Sequence, residues 1–376
     1  MGYLYRMALC ALLPAFSLQL AAQPRTWKEA SACRDSRWWA SARARAVADS
    51  ILKYQLPDGG WTKNEDWLDG SAHLSWQKAV DTGVGTTIDN GATWKEIRFL
   101  ARVAQTMDTA TVSSERKALI AGVERGLCLL LRYQYPNGGF PQFLPPKRGD
   151  YSRHITFNDG AMLGVLRLLR DVAEARPPFD RCSLSDSLTT RCREAFERGI
   201  DCILRCQIRD AGGRLTVWCQ QHDEQTLLPA GARAYELPSY CAGSETADLL
   251  QFLMELPNPT DQVYTAVVSA MTWLEEHALH DKYLQRFTNA DSLPDRQLID
   301  SIGAPLLWAR FYDLDKGQPF VCDRDGRPKR SLSDIGYERR NGYAWYGSQP
   351  LLLFHLYDEW KRIHQTDSLS SPYHVD

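Results

Sequence analysis

Two long stretches, WWASARARAVADSILKYQ (38–55) and ERKALIAGVERGLCLLLRYQ (115–134), place apolar residues at i, i+3, i+4 and i+7. That period predicts amphipathic helices. Each stretch ends in glutamine and runs into Pro-Asp-Gly-Gly or Pro-Asn-Gly-Gly, residues that accept turn geometry and stop a helix. The opening recurs in LKYQLPDGGW (52–61), LRYQYPNGGF (131–140) and LRCQIRDAGG (204–213), with Gln55, Gln134 and Gln207 spaced 79 and 73 residues apart. Intervals of that size fit a unit of two helices and a long loop.

A second repeat follows the first. TIDNGATWKEIRFLARVAQ (87–105) parallels TFNDGAMLGVLRLLRDVAE (156–174), and Ser244-Glu245-Thr246 before ADLLQFLMEL is a less literal third copy. Further helices are expected over about Gln262–His277 and near Gly347–His364. Three helix pairs predict an all-α protein, an α/α toroid whose loops gather on one face. One domain is expected over residues 23–376, its toroid core over about 41–365, because no linker or low-complexity segment interrupts it. Residues 1–22 carry Arg6, an apolar run from Met7 to Leu20, and Ala21-Ala22. This is the pattern of a secretory signal, so an exported chain, periplasmic or extracellular, is expected. No later run is long enough to span a membrane.

Composition adds little except in two respects. A net charge of −2 over 376 residues speaks against nucleic-acid binding, and 12 Trp with 16 Tyr supply flat faces for sugar rings or for core packing. The nine cysteines after the signal are irregularly spaced and lack a zinc pattern.

The candidate chemistry lies in the paired Asx motifs. Asp89-Asn90 and Asn158-Asp159 occupy equivalent places in successive repeats, so their short oxygen-bearing side chains would meet on one rim and suit Ca²⁺. Helix capping explains them equally well. Arg233, Arg310, Arg324, Arg339 and Arg340 stand among Tyr235, Trp308, Phe311, Tyr312, Tyr343, Trp345 and Tyr346. Guanidinium groups beside aromatic faces describe a groove for an acidic sugar polymer. His222-Asp223-Glu224 could form an acid/base cluster, but a solvated loop is expected there. No Walker loop, nucleophile elbow or HExxH motif is present.

DGGWTKN (58–64), TIDNGATW (87–94), YSRHITFNDGAM (151–162), RAYELPS (233–239) and PFVCDRDGRPKRSLSDIGYERRNGYAWY (319–346) together resemble the pectate lyases of polysaccharide lyase family ten. The resemblance runs from about residue 41 to 356. It implies an irregular (α/α)₃ toroid with a substrate groove on one face, and Ca²⁺-assisted anti-β-elimination in α-1,4-linked polygalacturonate. It further implies Arg233 as the proton acceptor, Asp159 as the main Ca²⁺ ligand with Asp89 and Asn90 close by, and Arg310 and Arg324 as clamps on substrate carboxylates. Arg205 is taken as a further substrate-binding basic residue. A monomer is expected, with no nucleic-acid partner. A glycoside hydrolase, which needs two carboxylates at roughly 5–10 Å, and a non-catalytic uronide-binding protein are the alternatives. A terpene-cyclase-like toroid lacks its acid motif here.

Overall fold

The computed structural model describes residues 23–68, 73–83, 85–107, 113–147 and 149–368. The signal peptide expected over residues 1–22 lies outside the described residues. Helices come in chain order as α1 (Trp27–Ser31), α2 (Ser36–Trp39), α3 (Ala42–Lys53), α4 (His73–Thr82), α5 (Trp94–Gln105) and α6 (Ser114–Tyr133). They continue as α7 (Ala161–Ala173), α8 (Asp186–Cys206), α9 (Ser244–Met254), α10 (Asp261–Glu276), α11 (Tyr337–Gly342) and α12 (Leu351–Ser368). None among the described residues is long and apolar enough to cross a membrane.

Two rows of helices form the body. α5, α7 and α9 touch one another in that order, while α3, α6, α8 and α10 pack outside them. Burial separates the rows. Only Arg167 and Asp171 of α7 escape full burial, whereas α8 buries a single stripe that includes Leu188, Cys192, Ala195, Gly199 and Cys202. That stripe has the period of one helix face.

Capping separates the rows as well. Each outer helix opens on a hydroxyl that accepts from a first-turn amide: Ser41 from Ala44 (3.2 Å), Ser113 from Arg116 (3.1 Å), Ser185 from Leu188 (3.3 Å) and Thr260 from Val263 (3.3 Å). The inner helices α5, α7 and α9 have no side-chain cap. Their N-termini present the positive end of the helix dipole.

The outer helices α3 and α6 each lead into a turn that folds back on the next outer helix. Gly59 (φ +106°) and Gly138 (φ +91°) lie against the carbonyls of Arg125 and Arg198, where a Cβ would come within 2.6 and 1.9 Å of the oxygen. Only glycine fits both the backbone and the gap. The tryptophan after such a turn is a staple. Trp61 and Trp218 are fully buried, and their indoles donate to Ile51 (2.8 Å) and Ile203 (2.7 Å) on the helix just ended. Trp308 does the same to Leu274 (2.7 Å). These rings belong to the core and not to a sugar platform.

Most of the strands lie towards the C-terminal end, a region for which the helical repeat made no provision. Lys282–Thr288 and Pro294–Asp300 form an antiparallel hairpin. Tyr240–Cys241, Phe311–Tyr312, Pro319–Cys322 and Pro328–Lys329 form a four-stranded antiparallel sheet in that order. The sheet ties the loop carrying residue 233 to the segments carrying residues 310 and 324. All nine described cysteines are free thiols.

Candidate active site

The two Asx pairs lie in single 3₁₀ turns, Asp89–Gly91 and Asn158–Gly160, which touch each other ahead of α5 and α7. Neither pair caps a helix, so the capping explanation fails. The two members of each pair play different parts. Asp89 and Asn158 are buried, while Asn90 (φ 53°) and Asp159 (φ 52°) take left-handed backbone and are exposed. Asn and Asp visit that region more readily than other non-glycine residues. Doubling the Asx therefore provides one buried oxygen donor and one projecting side chain per turn.

The first turn is held by Thr93, at φ 68° and ψ −57°, a γ-turn conformation strained for a β-branched residue. Its hydroxyl accepts from Trp61 N (3.2 Å) and donates to the Thr87 carbonyl (2.8 Å). Thr246 of α9 stands in the same relation to Trp218 N and the Cys241 carbonyl. The third repeat is thus genuine in structure, with Glu245 directly before its threonine.

Around this rim the polar groups interlock. Lys63 pairs with Asp89 Oδ2, and Asn90 donates to Asn64 Oδ1 (2.9 Å). Asn158 donates to Asp159 Oδ2 (2.9 Å) and accepts from Arg310 Nη2 (3.0 Å). Arg310 also pairs with Glu245, which is 1 % exposed, and lies 4.6 Å over the Tyr343 ring. Arg233 makes a two-pronged contact with buried Glu236, through Nε at 2.7 Å and through Nη2. Tyr343 donates to the same carboxylate (2.8 Å). Tyr343 therefore joins the Arg310 and Arg233 groups.

The electrostatics follow from these contacts. Partial desolvation by the surrounding rim, then the anions of Asp89 and Glu245, raise the projecting Asp159 carboxyl above the ordinary range, with Arg310 and Arg233 opposing. The hydrogen bond to Glu236 pushes the Arg233 guanidinium above its already high value. Tyr151 is raised by burial and responds to the charges of Arg233, Glu236 and Asp89, which places it beside both halves of the site.

Asp89, Asn90, Asp159, Arg233 and Arg310 are thus brought together. Arg324 joins from the edge: it is exposed, pairs with Glu338 (3.2 Å) and shares the Tyr235 ring with Arg233 and Arg339. Arg205 is not brought in. It is half exposed, pairs with Asp201 (3.3 Å) and lines a cleft between α8 and α10.

The expected solvated loop at His222 is also different in structure. The ring is fully buried, donates from Nδ1 to the Leu227 carbonyl (2.8 Å) and accepts from Cys219 N (3.0 Å). Burial lowers its pKa to about 4, so it is a neutral strut. Lys63 and Glu236 were not singled out in the sequence, which offered Glu245 only as part of the third repeat and Tyr343 only as an aromatic beside the arginines. Lys63 had a signal, lying in the DGGWTKN motif, and so did Glu245, by its place in the repeat. Glu236 and Tyr343 likewise lie in motifs of the resemblance, RAYELPS (233–239) and the segment 319–346, but nothing there marked the glutamate as the partner of Arg233.

The rim offers carboxylate and amide oxygens, the donors a hard cation prefers. Asp89 Oδ1 and Glu245 Oε2 are buried carboxylate oxygens without a hydrogen-bond partner. These residues fit a cation as an open site and not as a closed cage. Among the described residues, the one trio of His, Cys, Asp or Glu with ligand atoms within 4.8 Å is His154, Asp223 and Glu224. That trio is internally satisfied, with Glu224 bonded by His154 (2.8 Å) and Arg153 (2.8 Å).

The architecture is similar to solved polysaccharide lyases. A family 10 polysaccharide lyase from Cellvibrio cellulosa shares 33 % identity over 86 % of this chain and 95 % of that chain, with a TM-score of 0.71. A form of the Cellvibrio cellulosa enzyme with an aspartate changed to alanine, in complex with trigalacturonic acid, gives 32 % identity over the same shares and a TM-score of 0.70. No curated protein sequence matches. The class is that of a polysaccharide lyase. A model of the pectic acid lyase family matches residues 55–353, and the chain belongs to that family.

Proposed function

We propose that this lyase cleaves α-1,4-linked polygalacturonate by anti-β-elimination at the rim formed by Asp89, Asp159, Arg233 and Arg310. The observation that carries the reading is the joining of two arginine groups to an anionic rim through Tyr343. The solved relative bound to trigalacturonic acid supports the substrate class. The two rows of helices are read as the (α/α)₃ toroid, with the groove on the face carrying the two 3₁₀ turns. The protein is taken as exported, since its polymeric substrate would lie outside the cell.

In the reaction the C5–H bond breaks, its electron pair forms the C4–C5 double bond, and O4 leaves with the electrons of the C4–O4 bond. C5–H is acidic only when the adjacent carboxylate charge is offset. Arg310 and Arg324 are suited to hold uronate carboxylates. Ca²⁺, when bound, would neutralise the same carboxylate and acidify C5, with Asp159 as protein ligand and Asp89 close to it. Arg233 takes the proton in this reading. Its contact with Glu236 opposes that role, because the carboxylate favours the charged guanidinium. The base role therefore requires Arg233 to leave Glu236 when substrate is bound.

The test follows ultraviolet absorbance of the conjugated unsaturated uronide on polygalacturonate. Arg233→Ala should abolish the signal with the circular dichroism spectrum unchanged. Glu236→Gln should move the ascending limb of the kcat/KM profile to lower pH, because losing the anion lowers the guanidinium pKa of the free enzyme. A near-wild-type rate in the first variant, or an unmoved profile in the second, removes Arg233 as base. Reducing ends without absorbance would mean hydrolysis.

A further inference from the structure

A cleft lined by α8 and α10 lies away from the rim. It arises where the helical repeat breaks, beside the glutamine that ends α8. In the first copy Gln55 Nε2 donates to the carbonyls of Gly59 (2.8 Å) and Gly122 (3.0 Å). Gln134 does so to Gly138 (2.9 Å) and Ala195 (2.7 Å), and Gln207 to Thr216 (2.7 Å) and Ala266 (2.9 Å).

The side-chain oxygens are treated differently. Arg125 of α6 donates to Gln55 Oε1 (3.0 Å from Nε), and Arg198 of α8 donates to Gln134 Oε1 (2.8 Å). Both arginines stand three residues after the carbonyl that receives the glutamine, and on α10 that place is Ser269. Gln207 is 5 % exposed and its Oε1 has no partner.

The turn has withdrawn too. Gln55 to Trp61 and Gln134 to Phe140 are six residues, but Gln207 to Trp218 is eleven. Gly213 has open space around its Cβ position, where Gly59 and Gly138 press on a carbonyl. The space left is a cleft of about 620 Å³ lined by Leu204, Arg205, Gln207, Arg209, Leu215 and Asp261. Arg209, Leu215 and Thr265 also line a second hollow of about 390 Å³ beside Ser269. Arg209 is exposed, donates to the Gly213 carbonyl (2.8 Å) and has no carboxylate partner among the described residues.

We propose that this cleft is an accessory binding site for an acidic oligosaccharide, holding a second stretch of the polymer outside the catalytic rim. Arg209 and Arg205 meet a uronate carboxylate, Asp261 and the orphaned Gln207 oxygen accept from sugar hydroxyls, and Leu204 and Leu215 face the apolar side of a ring. The proposal rests on the polygalacturonate reading above. It also gives Arg205 a place in substrate binding away from Arg310.

Steady-state kinetics on polygalacturonate and on trigalacturonate test it in two variants. Arg209→Ala removes the cation, and Ser269→Arg returns a guanidinium to Gln207 and fills the hollow. Losing one charge-assisted contact should raise KM for the polymer about five- to tenfold, with kcat and the trimer KM unchanged. An unchanged polymer KM in both variants, or an equal loss on trimer and polymer, overturns the proposal. Calorimetric titration of trigalacturonate into Arg233→Ala, which does not depend on cleavage, should give two sites, and Arg209→Ala should remove one. A single site in both rejects the cleft while leaving the catalytic reading to its own test. Equal binding of a neutral oligosaccharide rejects the acidic ligand.

Discussion

Asp159 carries more than one burden: left-handed backbone, a carboxyl raised by partial desolvation and by two neighbouring anions, and a place beside two arginines. The folded chain holds the Asp159 proton more tightly than the unfolded chain does. The ionised group therefore costs stability once the pH exceeds the raised value, and the cost vanishes below the ordinary carboxylate range. Asp159→Asn removes that cost and keeps a residue that accepts positive φ. It should raise Tm at neutral pH, by an amount that shrinks as the pH falls through the acid range, while abolishing lyase activity. Scanning calorimetry at several pH values decides this, and a variant no more stable than wild type would contradict it. The two Asx pairs were legible as sequence because they recur at one place in the repeat. Their asymmetry was not, because which member is buried depends on backbone dihedrals set by the 3₁₀ turns.

At the scale of elements, the repeat is a set of glutamine staples and glycine contacts, and the copies are unequal. Gly138→Ala would push a Cβ into the Arg198 carbonyl at 1.9 Å and strain the turn as well. It should cost roughly 3 kcal/mol or more. Gly213→Ala meets open space, so only the backbone term of about 1–2 kcal/mol remains. Urea denaturation midpoints check the difference, and equal losses would mean that the third turn is packed like the second. The outer helices could be read from their apolar period. The inner helix α9 was harder to pair, since its Asx motif has become Ser-Glu-Thr and Glu245 keeps the carboxylate without the pattern.

For the whole molecule, core and rim should respond separately to a metal. The apolar interior runs through both rows of helices and includes no proposed cation ligand. Removing Ca²⁺ with a chelator should stop the reaction reversibly while circular dichroism stays native. Adding Ca²⁺ at about 100 times its Kd should stabilise the chain by roughly 2.7 kcal/mol, a gain that Asp159→Asn should lack. Thermal melts with and without the ion measure this, and an equal gain in the variant would move the cation to another site, such as His154, Asp223 and Glu224. The sequence by itself determined the helix periods, the turns, the repeated Asx pairs and the family, because each rests on residues close together or on motifs in fixed order. Only the tertiary structure decided that Arg310 reaches Asn158 across 152 positions, that Glu236 holds Arg233, and that Arg205 faces a different cleft. The Arg310 contact depends on how the C-terminal strands pack against the helices, and the Arg205 cleft on how α8 packs against α10; such contacts between distant segments leave no period for a sequence to display. The Arg233–Glu236 pair is only three residues apart, but it is set by an irregular loop that has no period either.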